Sequence, residues 1–177
     1  MIALNALGVA APAGGPIDLH GRPTDPFASA APAKVLLFVR TDCPISNRYA
    51  PELQRIASEF TGLRVEFWLV YSDPAESPAG IATQIAQYKL PGKPLRDPHH
   101  QLAARSRATV SPQAAVFDGS GRLVYTGRID DRFVDFGKAR PAATTHDLEL
   151  AISAVLSGKP MKFTKTRAVG CYLADVR

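Results

Sequence analysis

Cysteine is scarce in this chain: 177 residues contain two, Cys43 and Cys171. Two cannot staple a disulfide scaffold, nor build a tetrahedral zinc site of cysteines. They can be one disulfide, a redox pair or two unrelated thiols, and their separation along the chain does not choose between these. Long hydrophobic runs are missing too. No stretch reaches the ~18 apolar residues that a membrane-spanning helix needs, and the most apolar one, residues 65–71, has strand length and contains Glu66. Charge of one sign is also absent. The 21 Lys and Arg against 16 Asp and Glu give a net +5, dispersed along the chain and densest at Lys159, Lys162, Lys165 and Arg167. Aromatics do not alternate with these residues, so the pattern reads as a solvated surface and not a nucleic-acid or membrane face. Neither G-x-G-x-x-G nor a P-loop occurs. Gly119-Ser120-Gly121 is a hairpin turn, not the strand-to-helix elbow of a serine hydrolase. Asp130, Asp131 and Asp135 depart from calcium-loop spacing and stand among Arg128, Arg132 and Lys138, which predicts a solvated ion-pair loop.

What remains is an ordinary globular composition, 46% hydrophobic and 21% charged, at a length that suits one domain with trimmings. Residues 1–13 are small and apolar, and Ala11-Pro12-Ala13 has the look of a signal cleavage site. No Lys or Arg precedes it, so the charged start of a signal is missing. The expectation is a periplasmic or secreted protein, with a cytoplasmic one as the alternative. Residues 1–33 form an irregular lead-in, 34–157 the domain, and 158–177 a tail carrying Cys171.

Within the domain, residues 34–40 (KVLLFVR) read as a buried strand. Tyr49, Leu53, Ile56 and Phe60 then mark one face of a helix that Gly62 ends. Residues 64–71 are a second strand, apolar enough to be central in a parallel sheet. A weaker helix covers 79–88, residues 90–94 form a loop, and a short helix spans 99–107 with His99-His100 as its cap. Residues 113–118 and 122–127 make a hairpin. A polar loop fills 130–144. A last helix runs over 145–156, capped by Thr144 or Thr145. The order predicts an α/β protein in three layers, with parallel first strands and antiparallel edge strands.

Cys43 falls between the first strand and the first helix. Ligands bind open α/β sheets beyond the carboxyl ends of their strands. A helix N-terminus presents free N–H groups and partial positive charge, which favour a thiolate. Asp42 opposes this by repulsion, while Pro44 fits a first helical turn.

Residues 43–51 (CPISNRYAP) resemble the thioredoxin pattern C-x-x-C-x-x-x-A-P, with Ser46 at the second cysteine position and Pro51 as the helix-kinking proline. Residues 110–118 (VSPQAAVFD) are similar to that superfamily's cis-proline loop and following strand, and 121–127 to its hairpin. Cys43 and Pro112 stand 69 positions apart. That suits the larger TlpA-like and AhpC/TSA redoxin branch, which carries an insertion between the second strand and its helix. The resemblance implies a thioredoxin-like three-layer fold and a thiol-disulfide oxidoreductase without cofactor or metal. Its catalytic group would be Cys43, Ser46, Pro112 and Cys171, with Pro44, Ser111 and Arg128 contacting substrate. Its partners would be protein or small-molecule thiols and disulfides.

Ser46 cannot resolve a mixed disulfide. The alternatives are monothiol chemistry with an external thiol, resolution by Cys171, or a fold reused without reductase function. Two further readings compete. A peroxiredoxin-like peroxidase with antioxidant function would use Cys43-Pro44, nearby Thr41, and Arg40 or Arg128. A Sco-like copper carrier would need both cysteines and one of His20, His99, His100 or His146, although Asn47 replaces the second cysteine of that family's C-x-x-x-C pair.

Overall fold

The computed structural model describes residues 14–173. The signal-like stretch 1–13 lies outside the described residues.

The fold is organised by one strand. β1 (Ala33–Phe38) is buried along its whole length. Its side chains alternate between two cores, as the period of two requires. Val35 and Leu37 enter one core, and Leu36 and Phe38 the other. β2 (Val65–Tyr71) pairs with it in parallel, Ala33 opposite Val65 and Phe38 opposite Val70. β5 (Gln113–Asp118) pairs on the other side, antiparallel, Phe38 opposite Gln113. With β3 (Lys93–Arg96) and β6 (Leu123–Gly127) the sheet order is β3-β2-β1-β5-β6.

α2 (Ala50–Glu59), α3 (Pro78–Tyr88) and α5 (Asp147–Ser157) cover the first core through Leu53, Ile56, Ile81, Leu148 and Ile152. α4 (Gln101–Ser106) covers the second through Leu102 and Ala103. The predicted three-layer α/β architecture is the one observed.

The first helix, continuous by its periodicity, breaks in two at the kink that the resemblance at Pro51 implies. α1 (Pro44–Arg48) ends at Tyr49, and α2 starts with Ala50. Pro51 has no N–H to give the carbonyl four residues back, that of Asn47. The predicted face survives the break: Tyr49, Leu53, Ile56 and Phe60 are all buried.

Other differences concern what holds the loops. Residues 72–77 alone separate β2 from α3, so the expected insertion there is absent. The length between Cys43 and Pro112 is taken up by α3, β3 and α4. Residues 90–94 run into β3, an edge strand, rather than forming a loop throughout.

Neither predicted helix cap forms. The Ala103 N–H of α4 donates to Asp97 at 2.9 Å, and His100 makes no side-chain cap. His146, not Thr144 or Thr145, precedes α5. The N–H groups of both threonines instead donate to Asp131. Nor is the 130–144 loop a solvated ion-pair loop. It contains a hairpin of β7 (Phe133–Asp135) and β8 (Lys138–Ala139), and Asp130 and Asp131 are buried. A buried carboxylate needs donors, and these two organise the loop by collecting them. Asp130 accepts from the Tyr49 hydroxyl at 2.6 Å and from the Arg132 N–H at 2.9 Å.

The tail is tied down twice. Thr126 on β6 receives the Thr166 N–H and donates its own N–H to Thr164. Five residues after Thr166, β9 (Cys171–Tyr172) pairs antiparallel with β4 (Val110–Ser111), setting Cys171 opposite Ser111.

Tyr49→Phe removes one of the donors to buried Asp130. The expected cost is about 1–3 kcal/mol, read as a lower urea midpoint with an unchanged slope.

Candidate redox site

Cys43 occupies the N-cap position of α1, with extended backbone (φ −87°, ψ 111°) and Pro44 next in the helix. The strand-end position predicted from sequence is therefore real, but the sulfur is not open to solvent. Cys43 is 0% exposed and belongs to the first core. Its thiol donates to the Ser111 carbonyl oxygen at 3.2 Å. Pro112 follows across a cis peptide bond, itself buried.

The tail supplies the second thiol. Because β9 pairs with β4, Cys171 lies directly across from the residue whose carbonyl holds Cys43. The Cys171 thiol donates to Cys43 Sγ at 2.8 Å. Gly170 makes this approach possible, since a Cβ at that position would overlap the Ser111 carbonyl. Val169 and Leu173 are buried on either side of the crossing, and the Leu173 N–H donates to Thr109 at 3.0 Å.

Several groups that the motif reading did not pick out set the position of the strand-to-helix loop. Gln84 on α3 donates to the Arg40 carbonyl at 2.9 Å and to Asn47 Oδ1 at 2.6 Å, and accepts from the Tyr71 hydroxyl. Glu76 accepts the Thr41 N–H at 2.6 Å. Burial raises its carboxyl above the ordinary range, against the pull of that hydrogen bond. Gln113 braces the other wall, accepting from the Thr109 N–H and donating to the Thr126 hydroxyl. The readable signal was a polar residue on a buried face, as with Gln84 three positions after Ile81. Its partners carried none.

Arg40 fastens the strap. Its guanidinium pairs with Asp42 at 3.0 Å and with Asp73 at 3.2 Å, and donates to the Tyr172 carbonyl at 3.2 Å. Arg128 has an internal partner. Its guanidinium is committed to Asp147 at 2.7 Å, at the start of α5, rather than to a substrate position. Pro44 is exposed and, with Asp42, Asn47, Arg48 and Tyr88, lines an open depression of about 390 Å³. The Ser111 backbone, expected to meet substrate, is paired with β9.

The electrostatics of the two sulfurs diverge. Burial pushes the Cys43 thiol up. Hydrogen bonding to the thiolate from Cys171 and from the Ser46 N–H and hydroxyl outweighs it, so Cys43 lies below the ordinary thiol range. The Ser46 hydroxyl is buried and makes no hydrogen bond while the thiol is protonated, which leaves it free to donate to the thiolate. Cys171 moves the opposite way, to about 11, by burial and by the neighbouring Cys43 sulfur. Arg40 lowers it slightly and Asp42 raises it. The arrangement favours the thiolate on Cys43 over that on Cys171.

The histidines do not complete a metal site here. Among the described residues, the one gathering of three possible ligands is Glu52, His146 and Glu149, where Arg55 already bridges both carboxylates. No third ligand joins the two thiols, so the copper-carrier set predicted from sequence is not assembled. No helix among these residues is long and apolar enough to cross a membrane.

No protein-family model and no curated protein matches this chain. Solved structures do. A hypothetical protein from Sinorhizobium meliloti 1021 is similar at 25% identity and TM-score 0.72, over 89% of this chain and 87% of that one. An uncharacterized conserved protein from Geobacillus kaustophilus is similar at 23% identity and TM-score 0.75, over 90% and 88%. A secreted Mycobacterium tuberculosis disulfide oxidoreductase, described as homologous to DsbE of E. coli, is similar at 18% identity and TM-score 0.53, over 80% and 92%. The chain has the thioredoxin-like α/β fold.

Because the two thiols are pushed apart, the reduced protein is expected to lose its thiol protons in two steps, one lowered from the ordinary thiol value and one near 11. These steps belong to the pair. Cys171→Ala removes the donor and moves the lower step upward, which thiolate absorbance against pH measures directly.

Proposed function

We propose that this protein is a thiol-disulfide oxidoreductase whose exchanging couple is Cys43 and Cys171, with Cys43 as the thiolate nucleophile. The observation that carries the reading is the β4–β9 pairing, which sets a second thiol against Cys43 where the helix offers only Ser46. A reduced pair with one stabilised thiolate and one protonated thiol is the form from which a disulfide is made and broken by exchange. The oxidised form links the tail to the start of α1. Forming it releases two electrons and two protons to the partner disulfide, which is reduced to two thiols.

Ser46 takes the place of a resolving cysteine in the helix and acts as a hydrogen-bond donor to the Cys43 thiolate. Within the thioredoxin-like fold, the length from Cys43 to Pro112, taken up by α3, β3 and α4 rather than by an insertion after β2, supports assignment to the redoxin branch that includes TlpA-like and AhpC/TSA proteins. Partners are thiols or disulfides carried by proteins or small molecules, and no cofactor is required. Disulfide exchange suits an export compartment, which agrees with the apolar start of the chain.

Thiol counting on mildly oxidised protein tests this. Wild type is expected to go from two reactive thiols to none under denaturing conditions, and to show a single two-electron couple in a redox titration. Cys43→Ser and Cys171→Ser should each keep one thiol and lose the couple. Two freely labelled thiols after oxidation of the wild type would sink the reading.

A further inference from the structure

In a disulfide between unlike environments, which sulfur an incoming thiolate attacks depends on access and on which thiolate leaves more readily. Both considerations point the same way here. Cys43 is 0% exposed, enclosed by the Ser111 carbonyl, the start of α1 and the tail. Cys171 is part-exposed. It sits on a two-residue strand whose outer edge pairs with no other strand among the described residues, and its neighbour Tyr172 is 78% exposed. The open depression beside Pro44 is not lined by Cys43 and so offers no second route to its sulfur. The Arg40 guanidinium lies by Cys171, fixed to the Tyr172 carbonyl and paired with Asp42 and Asp73.

We propose that Cys171, carried on the tail strap, is the sulfur that exchanges with an external thiol, and that Cys43 exchanges only with Cys171. This rests on the couple proposed above and fixes its order of events. The partner thiolate attacks Cys171 Sγ. A bond forms between the partner sulfur and Cys171 while the Cys171–Cys43 bond breaks, and its electron pair remains on Cys43 as a thiolate held by Ser46. Cys43 lies below the ordinary thiol range, which makes it the better leaving group. A second thiolate of the partner then attacks the partner's own sulfur and releases Cys171, which takes a proton. The partner dithiol is oxidised to a disulfide, and the protein disulfide is reduced to two thiols. In reverse, Cys171 gives up its proton and attacks the partner disulfide, whose second sulfur leaves as a thiolate and takes that proton; the Cys43 thiolate, the nucleophile within the couple, then attacks Cys171 in the mixed disulfide and frees the partner's first sulfur as a thiolate. The helix-borne cysteine is thus the resolving sulfur and the tail cysteine the one that meets partners.

The test uses the oxidised full chain and glutathione as the thiol. After brief reaction and acid quenching, peptide mapping locates the glutathione. The expected result is glutathione on Cys171 with Cys43 free, in excess of the opposite adduct by at least about tenfold. Glutathione mainly on Cys43, in a protein whose Cys43–Cys171 disulfide has formed, overturns the order while leaving the couple intact. If no such disulfide forms on oxidation, both readings fall. A second measurement uses reduced protein. Gly170→Ala places a methyl group against the Ser111 carbonyl and lifts the strap. Alkylation of Cys43 by iodoacetamide is expected to rise about fivefold, the factor that losing one ordinary hydrogen bond brings. Cys43 labelling unchanged by Gly170→Ala, or as fast in wild type as in a small free thiol, overturns the shielding on which the order depends.

Discussion

A two-residue ladder governs the chemistry of this molecule. Ser111 faces Cys171 across β4 and β9, and the Ser111 carbonyl is also the acceptor for the Cys43 thiol. One peptide unit therefore holds both sulfurs in register. Each element around it serves that unit. Gln113 braces the segment before it, Gly170 lets the tail come close, and Arg40 grips the far side of the strap. The larger sheet supplies the rigid part. Phe38 at the end of β1 pairs with Gln113 at the start of β5, which brings the Cys43 loop and the Ser111 loop to the same edge of the central layer.

The asymmetry of the two thiols follows from this arrangement without any charged residue acting as a base. Cys43 is buried, and burial alone disfavours its thiolate. Hydrogen bonding from Ser46 and from the other cysteine, by N–H and side chain in each case, reverses that outcome. Burial and the neighbouring Cys43 sulfur make deprotonation of Cys171 harder. The hydrogen bond between the sulfurs thus adds to unlike surroundings in separating the roles of two chemically identical side chains. Asp42, adjacent in sequence and expected to oppose the thiolate, is neutralised by Arg40.

Long, strongly patterned segments were legible in the sequence. β1, β2, β5 and the helix face of Tyr49, Leu53, Ile56 and Phe60 each bury enough apolar surface to impose their period on the chain. The short strands β3, β7, β8 and β9 were not legible, because two to four residues cannot display a period of two against background. The caps were misread for a different reason. Asp97 and Asp131 reach helix starts from several residues to more than a dozen away, so the neighbouring His and Thr residues were plausible by position and unused in fact. At the site, Cys43, Ser46 and the Ser111-Pro112 loop could be named from motif. Cys171 could be named only as a candidate, since 128 residues separate it from Cys43 and nothing local encodes that meeting. The pairing of Arg128 could not be foreseen because its partner, Asp147, sits on an element whose packing the motif does not describe.

The tail is anchored at Thr166 before it reaches the thiols, by its backbone pairing with Thr126 and by contact of its hydroxyl with Tyr125. Five residues then lead to Cys171, a leash of at most about 17 Å when fully extended. If β9 parts from β4 while that anchor holds, the Cys171 sulfur stays confined to a small volume around Cys43. For short tethers such confinement corresponds to an effective concentration in the millimolar range. The anchor thus makes re-formation of the couple an intramolecular search, insensitive to how dilute the protein is, while leaving the strap room to carry a bound partner outward and back.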